Sequence, residues 1–529
     1  MQLRYHRPLL AAAAVTVIAV TGCAPTADTA GQLVLADSQP LADYNPILGY
    51  GALGVSPIYE GLLAPAADTD TTLPRLAPAL AAAEPVRLSG NTWRVPLRED
   101  VTFSDGTALD SADVVATYRA VADPAVASDI AAQFTPLTAV TADGPHAVTV
   151  TMDSPASPNP YLLLGIVPSE KVEAGPAATW KLNTTPTGTG PYTLQSLRAD
   201  QAVMVARPDY RGGPPAIDRV VYVHTPDDNS RAQRMRAGEI DGANLPPRLA
   251  QSLSGQPGMT VQTVASADWR AISLPAGNEF TADQAARTAM NVAVDRASMV
   301  DDVLVGSAAP ASTPVSAVYG DYYNPDAQFD HDVARAEQLL DQAGWRRNGD
   351  GVRVRGTTPA AFVVRYESSD TVRRDLAVAF AEQMRQIGVQ VRTVGSSWDD
   401  IEAHLDRDGV VLAGGEMPYS IDQQVVTTLH TRTAGSGPFA NRGNFTAPGL
   451  DALLDQARAT PDGPNKADLY RQIQHVYTAN PSSVFLTFMH HTYGVKDTAM
   501  TQPAAIMEPH AHGVTWGPWW NLPAWKRPS

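Results

Sequence analysis

A single cysteine, Cys23, occurs in 529 residues. That scarcity excludes disulfides, cysteine metal sites and thiol catalysis from everything beyond it, so stability must come from core burial. Lysine is also rare, with only five, at 171, 181, 466, 496 and 526, among 39 basic residues, which reads as a coding bias toward Ala, Pro, Gly and Arg. Basic charge is outnumbered by 55 acids, for a net −16. Nucleic acid is therefore excluded as a partner, because phosphate binding needs a concentrated basic surface. Hydrolase signatures are missing too: no HExxH, no GxSxG, no serine three residues before a lysine, and no carboxylate spacing that marks a glycosidase couple. Neither repeats nor low-complexity stalks occur, which argues against an adhesin or scaffold. A binding protein is left in preference to an exported hydrolase.

What is present begins at the N-terminus. Arg4, His6 and Arg7 precede an apolar or small run, Leu9 to Val20, followed by Thr21-Gly22-Cys23. This order of charged start and short hydrophobic centre predicts a secretory signal over 1–22. Its 12 residues fall short of the roughly 20 that a membrane-spanning helix needs. Val20-Thr21-Gly22-Cys23 resembles the bacterial lipobox, which implies lipidation at Cys23 and anchoring to the outer face of the cell membrane. Residues 24–31 would be the tether, completing a 23–31 attachment segment rich in Ala, Thr and Pro. Removing the signal takes two arginines and no acid, so 37 minus 55 leaves −18.

At 44% hydrophobic and 18% charged residues, the remainder is globular, and about 500 residues predict two to four domains. Strand patterns fall at 33–36 and 92–97, and a helix at 110–121 capped by Asp110 or Ser111. Val333, Ala336, Leu340 and Ala343 share a helical face ended by Gly344. Leu376, Phe380, Met384 and Ile387 repeat the arrangement up to Gly388, and a strand follows at 389–394. One further helix is expected over 283–304. Helix, glycine, strand is the grammar of a layered α/β domain.

The motifs come in a definite order: "IYEGLL" (58–63), "WRVPLREDVTFSDGTALDSADVVATY" (93–118), "GTGPYTL" (188–194), "RPDYRGGPPAIDRVVY" (207–222), "MRAGEID" (235–241), "ARTAMNVAVDRASMVDDVLVG" (286–306) and "ARAEQLLDQAGW" (334–345). This series resembles the family 5 extracellular solute-binding proteins, the peptide and nickel binders of ABC importers. The resemblance implies a two-lobed α/β fold like that of periplasmic binding proteins, with an inserted domain and a hinge. Lobe I would comprise 32–55, 183–266 and 478–529, the inserted domain 56–182, and the second large lobe 267–477. A monomer that captures solute by lobe closure and hands it to ABC permease subunits is implied, without catalysis or cofactor. Phe103-Ser104-Asp105-Gly106 predicts a tight turn, and Gly188 to Tyr192 a bend between lobes.

For the ligand, the resemblance implicates Leu48, Gly49, Tyr50 and Gly51, where glycine admits a close approach, and Trp398 on the cleft wall. Peptide-binding relatives place a tryptophan and an ammonium-pairing aspartate where this chain has Gly415 and Pro418. Glu416 or Asp422 could supply the anion instead, and Tyr419 could stack or hydrogen-bond. His490, His491, His510 and His512 gather near the C-terminus, so a metal, metal chelate or haem-related compound stands as the alternative ligand. Trp516, Trp519, Trp520 and Trp525 are expected to pack the tail onto lobe I.

Overall fold

The computed structural model describes residues 31–66, 72–433, 436–443, 445–498, 500–510 and 513–527. Cys23, most of its tether, and His512 lie outside these residues. No helix among the described residues is long and apolar enough to cross a membrane.

An 11-stranded mixed sheet runs through the molecule. One end consists of Gln32–Asp37, Tyr192–Leu197, Gln201–Ala206, Arg219–His224 and Gly242–Asn244. The opposite end consists of Ala361–Glu367, Gln390–Ser396 and Gly409–Gly414. Two long antiparallel strands, Met259–Ser273 and Ser483–Lys496, join the ends. Their register shifts between Ala265 and Trp269. On one side of the shift, Tyr493 to Val495 pair with Gly242–Asn244; on the other, Trp269 to Ile272 pair with Gly409–Gly414. An irregularity of this kind bends and twists a strand pair, and here it falls where one lobe gives way to the other.

Local sequence accounts for the elements around this frame. Asp332 and Asp370 cap the helices Val333–Gln342 and Thr371–Gln386 by accepting from the amides of Arg335 and Arg373. Gly344 and Gly388 end them in the left-handed region, at φ 84° and 78°, where residues with a β-carbon are strained. The apolar faces Ala336/Leu340 and Leu376/Phe380/Met384 enter one core with Phe362 and Val364 of the sheet. The single helix expected over 283–304 is broken. Gln284–Ala293 stops, Val294 is extended, and a short turn leads to a π-helical Met299–Val303. The cause is Arg296, buried at 5% exposure, whose guanidinium takes the carbonyls of Asn291, Ala311 and Phe485. Once a side chain holds the Asn291 carbonyl, continuing the helix would compete for the same acceptor.

Between residues 86 and 152 the chain builds a separate four-stranded antiparallel sheet, ordered Val86–Ser89, Thr92–Pro96, Ala147–Met152, Leu137–Ala142. Helix Ser111–Ala122 covers it and starts in a reciprocal capping box of Asp110 and Asp113. Gly106 closes the preceding turn at φ 89°, with Asp105 accepting from the Thr107 amide. Gly188 and Gly190 serve differently from the expected bend: neither has positive φ, and a Cβ on either would lie 2.2 to 2.5 Å from the backbone of Ile58. Close backbone packing, and not turning, requires glycine there. At the C-terminus Trp519 packs edge-on to Tyr493 with centroids 5.7 Å apart and lies over Gly242.

Candidate functional site

A cleft of about 830 Å³ opens beside the strand irregularity. Asn244, Arg270, Arg373, Trp398 and His490 are among the residues that line it. The lobes touch across it, where the Thr371 hydroxyl donates to Asp228 at 3.2 Å. Trp398 is 39% exposed, yet its indole lies 5.1 Å from the Arg373 guanidinium and meets Phe439 edge-on at 5.7 Å. A flat aromatic beside a cation gives this wall both an apolar and a charged character.

The cleft floor is a buried charge network. Asp268 sits inside the register shift and is fully buried, as is Glu508. Arg270 donates to Asp268 through Nη1. His491 bridges the two acids, Nε2 at 3.1 Å from Asp268 and Nδ1 at 2.6 Å from Glu508. Nδ1 of His510 lies 2.9 Å from Asp268. Glu508 also receives the Tyr493 hydroxyl at 2.7 Å and the Gly517 amide at 2.7 Å. Burial alone would lower the proton affinity of His491. The hydrogen bonds to Asp268 and Glu508 outweigh it and push the imidazole up to about 9. For Asp268 burial works against ionisation, and Arg270 and the histidines overcome it, holding the carboxyl well below its usual range. Asp268 and His491 are therefore both charged at neutral pH.

Away from the cleft lining, Tyr50 packs edge-on to Tyr44 at 4.9 Å and to Tyr59 at 6.3 Å. The hydroxyls of Tyr50, Tyr222 and Tyr419 are buried without a hydrogen-bond partner among the described residues.

Comparison with known proteins decides the class. The model of the bacterial extracellular solute-binding proteins, family 5 (Middle) matches residues 75–437. Protein XP55 of Streptomyces lividans is 36% identical over 503 residues, 93% of this chain and 91% of that protein. The chain belongs to the family 5 solute-binding proteins. The oligopeptide-binding protein AppA of Bacillus subtilis is 26% identical over 75% of this chain and 76% of its own. The solved AppA structure, in complex with a nonapeptide, superposes with a TM-score of 0.76 at 22% identity, covering 94% of this chain and 99% of that one. The nickel-binding periplasmic protein of Escherichia coli is 27% identical over 79% of this chain and 81% of its own. Family 5 proteins are extracytoplasmic substrate-binding components of ABC transporters.

Seen as a family 5 site, the expected residues separate into groups. Trp398 lines the cleft, as do His490, His491 and His510. His491 is held between two carboxylates, and among the described residues no group of three or more His, Cys, Asp or Glu could hold a metal ion. Gly49 and Gly51 are turn glycines at φ 99° and 67°; Gly49 ends the short helix Pro46–Leu48, and a Cβ on it would lie 3.0 Å from Ile130. Glu416 is exposed and borders a separate 270 Å³ cavity. Asp422 already has partners: Lys466 at 2.5 Å and Tyr470 at 2.5 Å.

The glycines standing where relatives carry glycine and tryptophan have a steric cause. A Cβ on Gly414 would fall 2.2 Å from the indole of Trp269, and one on Gly415 lies 2.7 Å from the Ala267 carbonyl at φ 115°. Trp269, from the neighbouring strand, covers Gly414. Sequence reasoning missed Arg270, Arg373, Asp268 and Glu508. The available signal was a pair of charges, Asp268 and Arg270, inside an otherwise apolar strand pattern. Such charges need partners wherever the strand is buried.

Proposed function

We propose that this chain is the lipid-anchored receptor of an ABC importer, attached through Cys23, and that it captures a peptide or peptide-like solute in the cleft bordered by Trp398. The observation that carries the reading is the 830 Å³ cleft lying beside the strand irregularity that joins the two lobes. Enclosure by lobe closure gives tight binding without chemistry, because main-chain and side-chain hydrogen bonds act away from water. The domain reading fits this role: lobe I from 32–55, 183–266 and 478–529, an inserted domain over 56–182, and lobe III over 267–477, with the receptor working as a monomer beside its permease.

AppA, an oligopeptide binder by name, favours a peptide. A second reading, a nickel chelate, is supported by the nickel-binding relative and by imidazoles on the cleft wall. With no protein-built metal group among the described residues, the metal would arrive with its own organic ligands.

Native mass spectrometry of the purified full chain, followed by thermal unfolding with the solute identified, tests both readings. A solute at 100 times its dissociation constant adds about 2.7 kcal/mol. Spread over the unfolding entropy of roughly 500 residues, this raises the midpoint by only about 3 °C. Absence of any shift with peptides and with nickel chelates would defeat the proposal.

A further inference from the structure

Two contacts join the halves of the molecule without passing through the long strands that connect them. The first is made where two helices begin. Asp228 opens the helix Asp228–Arg236, which follows strand Arg219–His224 toward one end of the sheet, and Thr371 opens the helix Thr371–Gln386, which follows strand Ala361–Glu367 toward the other. The Thr371 hydroxyl donates to Asp228 Oδ2 at 3.2 Å, across 143 residues of chain. Arg231 donates to Oδ1 of the same carboxylate. Burial raises the proton affinity of Asp228 and Arg231 opposes the rise, so this carboxylate has given up water where the helices meet. The positive ends of both helix dipoles point at it, which offsets its repulsion from Asp370, the cap of the second helix.

The second contact has the opposite polarity. Met299–Val303 is the π-helical turn, and the last carbonyls of a helix have no partner within it. Arg248, on the short helix Pro247–Gln251, donates to the carbonyl of Asp302. A cation is favoured at that end of a helix as an anion is at the other. Asp228 and Thr371 are among the residues that line the cleft, and Arg248 and Asp302 are not. Both contacts join protein groups alone, so their strength is independent of which solute lies between the lobes.

We propose that Asp228–Thr371 and Arg248–Asp302 are a pair of closure latches, which favour the closed arrangement of the lobes to an extent common to every solute. The cleft lining then selects the solute, and the latches set how firmly whatever is selected is kept. A closed population raised by protein contacts raises each apparent affinity by the same factor. The consequence for affinity rests on the cleft being the solute site, and the effect on lobe opening does not.

The test compares the purified full chain with its Thr371→Val, Thr371→Ser and Arg248→Ala variants. Small-angle X-ray scattering of the protein alone reads lobe opening, and binding kinetics with a nonapeptide pool and with the nickel–histidine complex as probes read affinity. Thr371→Val and Arg248→Ala should each shift the scattering toward a more open envelope. Each should also weaken every probe that binds by about 3- to 10-fold, chiefly through faster dissociation. Thr371→Ser, which keeps the hydroxyl, should behave as the parent. An unchanged envelope in Thr371→Val and Arg248→Ala would overturn the proposal whether or not any probe binds. A loss of affinity that differs between probes would overturn it too, because the residues would then be touching the solute. If the envelope opens and no probe binds, the latches stand and the reading of the cleft as a peptide or nickel-chelate site falls.

Discussion

Two buried acid clusters in this protein look alike in composition and differ in what they leave unused. At the helix Pro464–Ala479, Asp422 takes Lys466 and Tyr470, and Lys466 also takes Asp462. The fully buried Lys466 thereby has two carboxylates, and the cluster is complete. Beside the strand irregularity, Asp268 and Glu508 take Arg270, His491, His510 and Tyr493, yet Arg270 keeps a buried Nε without an acceptor. A closed cluster stabilises one arrangement of the chain. An open one, on the wall of a cleft, can stabilise a guest as well. Acid content alone therefore does not reveal a site; the unused donors beside it do.

The comparison can be broken most decisively by removing one charge from each cluster. Asp268→Ala strands Arg270 as a buried cation, leaves His491 with one of its two carboxylates, and should cost about 3–5 kcal/mol, read as a lower thermal midpoint, together with weakened solute binding. Lys466→Met should cost a similar amount but leave the affinity of the folded fraction unchanged. If both variants alter affinity equally, the contrast drawn between the clusters is wrong.

A pH series sharpens the contrast. His491 has its proton affinity raised from 6.5 to about 9, so between those values the folded state holds a proton that the unfolded chain has lost. Its stabilisation is complete below pH 6.5 and disappears as pH rises through 9, a loss of up to about 3 kcal/mol. Thermal midpoints measured across that window should fall, and the fall should flatten in His491→Gln. Asp268 acts in the opposite sense, its contribution vanishing only in strong acid.

The smallest effect is a control away from both clusters. Asp110→Ala removes the cap and half of the reciprocal box at Ser111–Ala122 and should cost about 1 kcal/mol. Urea titration should register that loss while solute affinity remains that of the parent. A changed affinity would mean that the four-stranded sheet and its covering helix communicate with the cleft.

Local periodicity and capping chemistry made much of the frame legible. Asp110, Gly344 and Gly388 mark their helix ends in the sequence as they do in the fold, because caps and left-handed glycines act within a few residues. The break at Val294 was not legible, since Arg296 ends the helix using carbonyls from residues 311 and 485. The site divides the same way. Trp398 could be picked out as a cleft-wall aromatic, whereas Arg270 and Arg373 carry no local mark that separates them from surface arginines.

The sequence by itself determined the class of this protein: the ordered motifs, the missing catalytic signatures and the lone cysteine are properties of short stretches that need no partner to be read. Tertiary structure alone decided which charges are satisfied. Asp268 meets His491 across 223 residues of chain and Glu508 meets His491 across 17, and only the pairing of two long strands brings them to one cleft. Whether a buried charge is neutralised or left open depends on such distant neighbours, because the desolvation that makes an unused donor valuable is created by the fold and not by the residue.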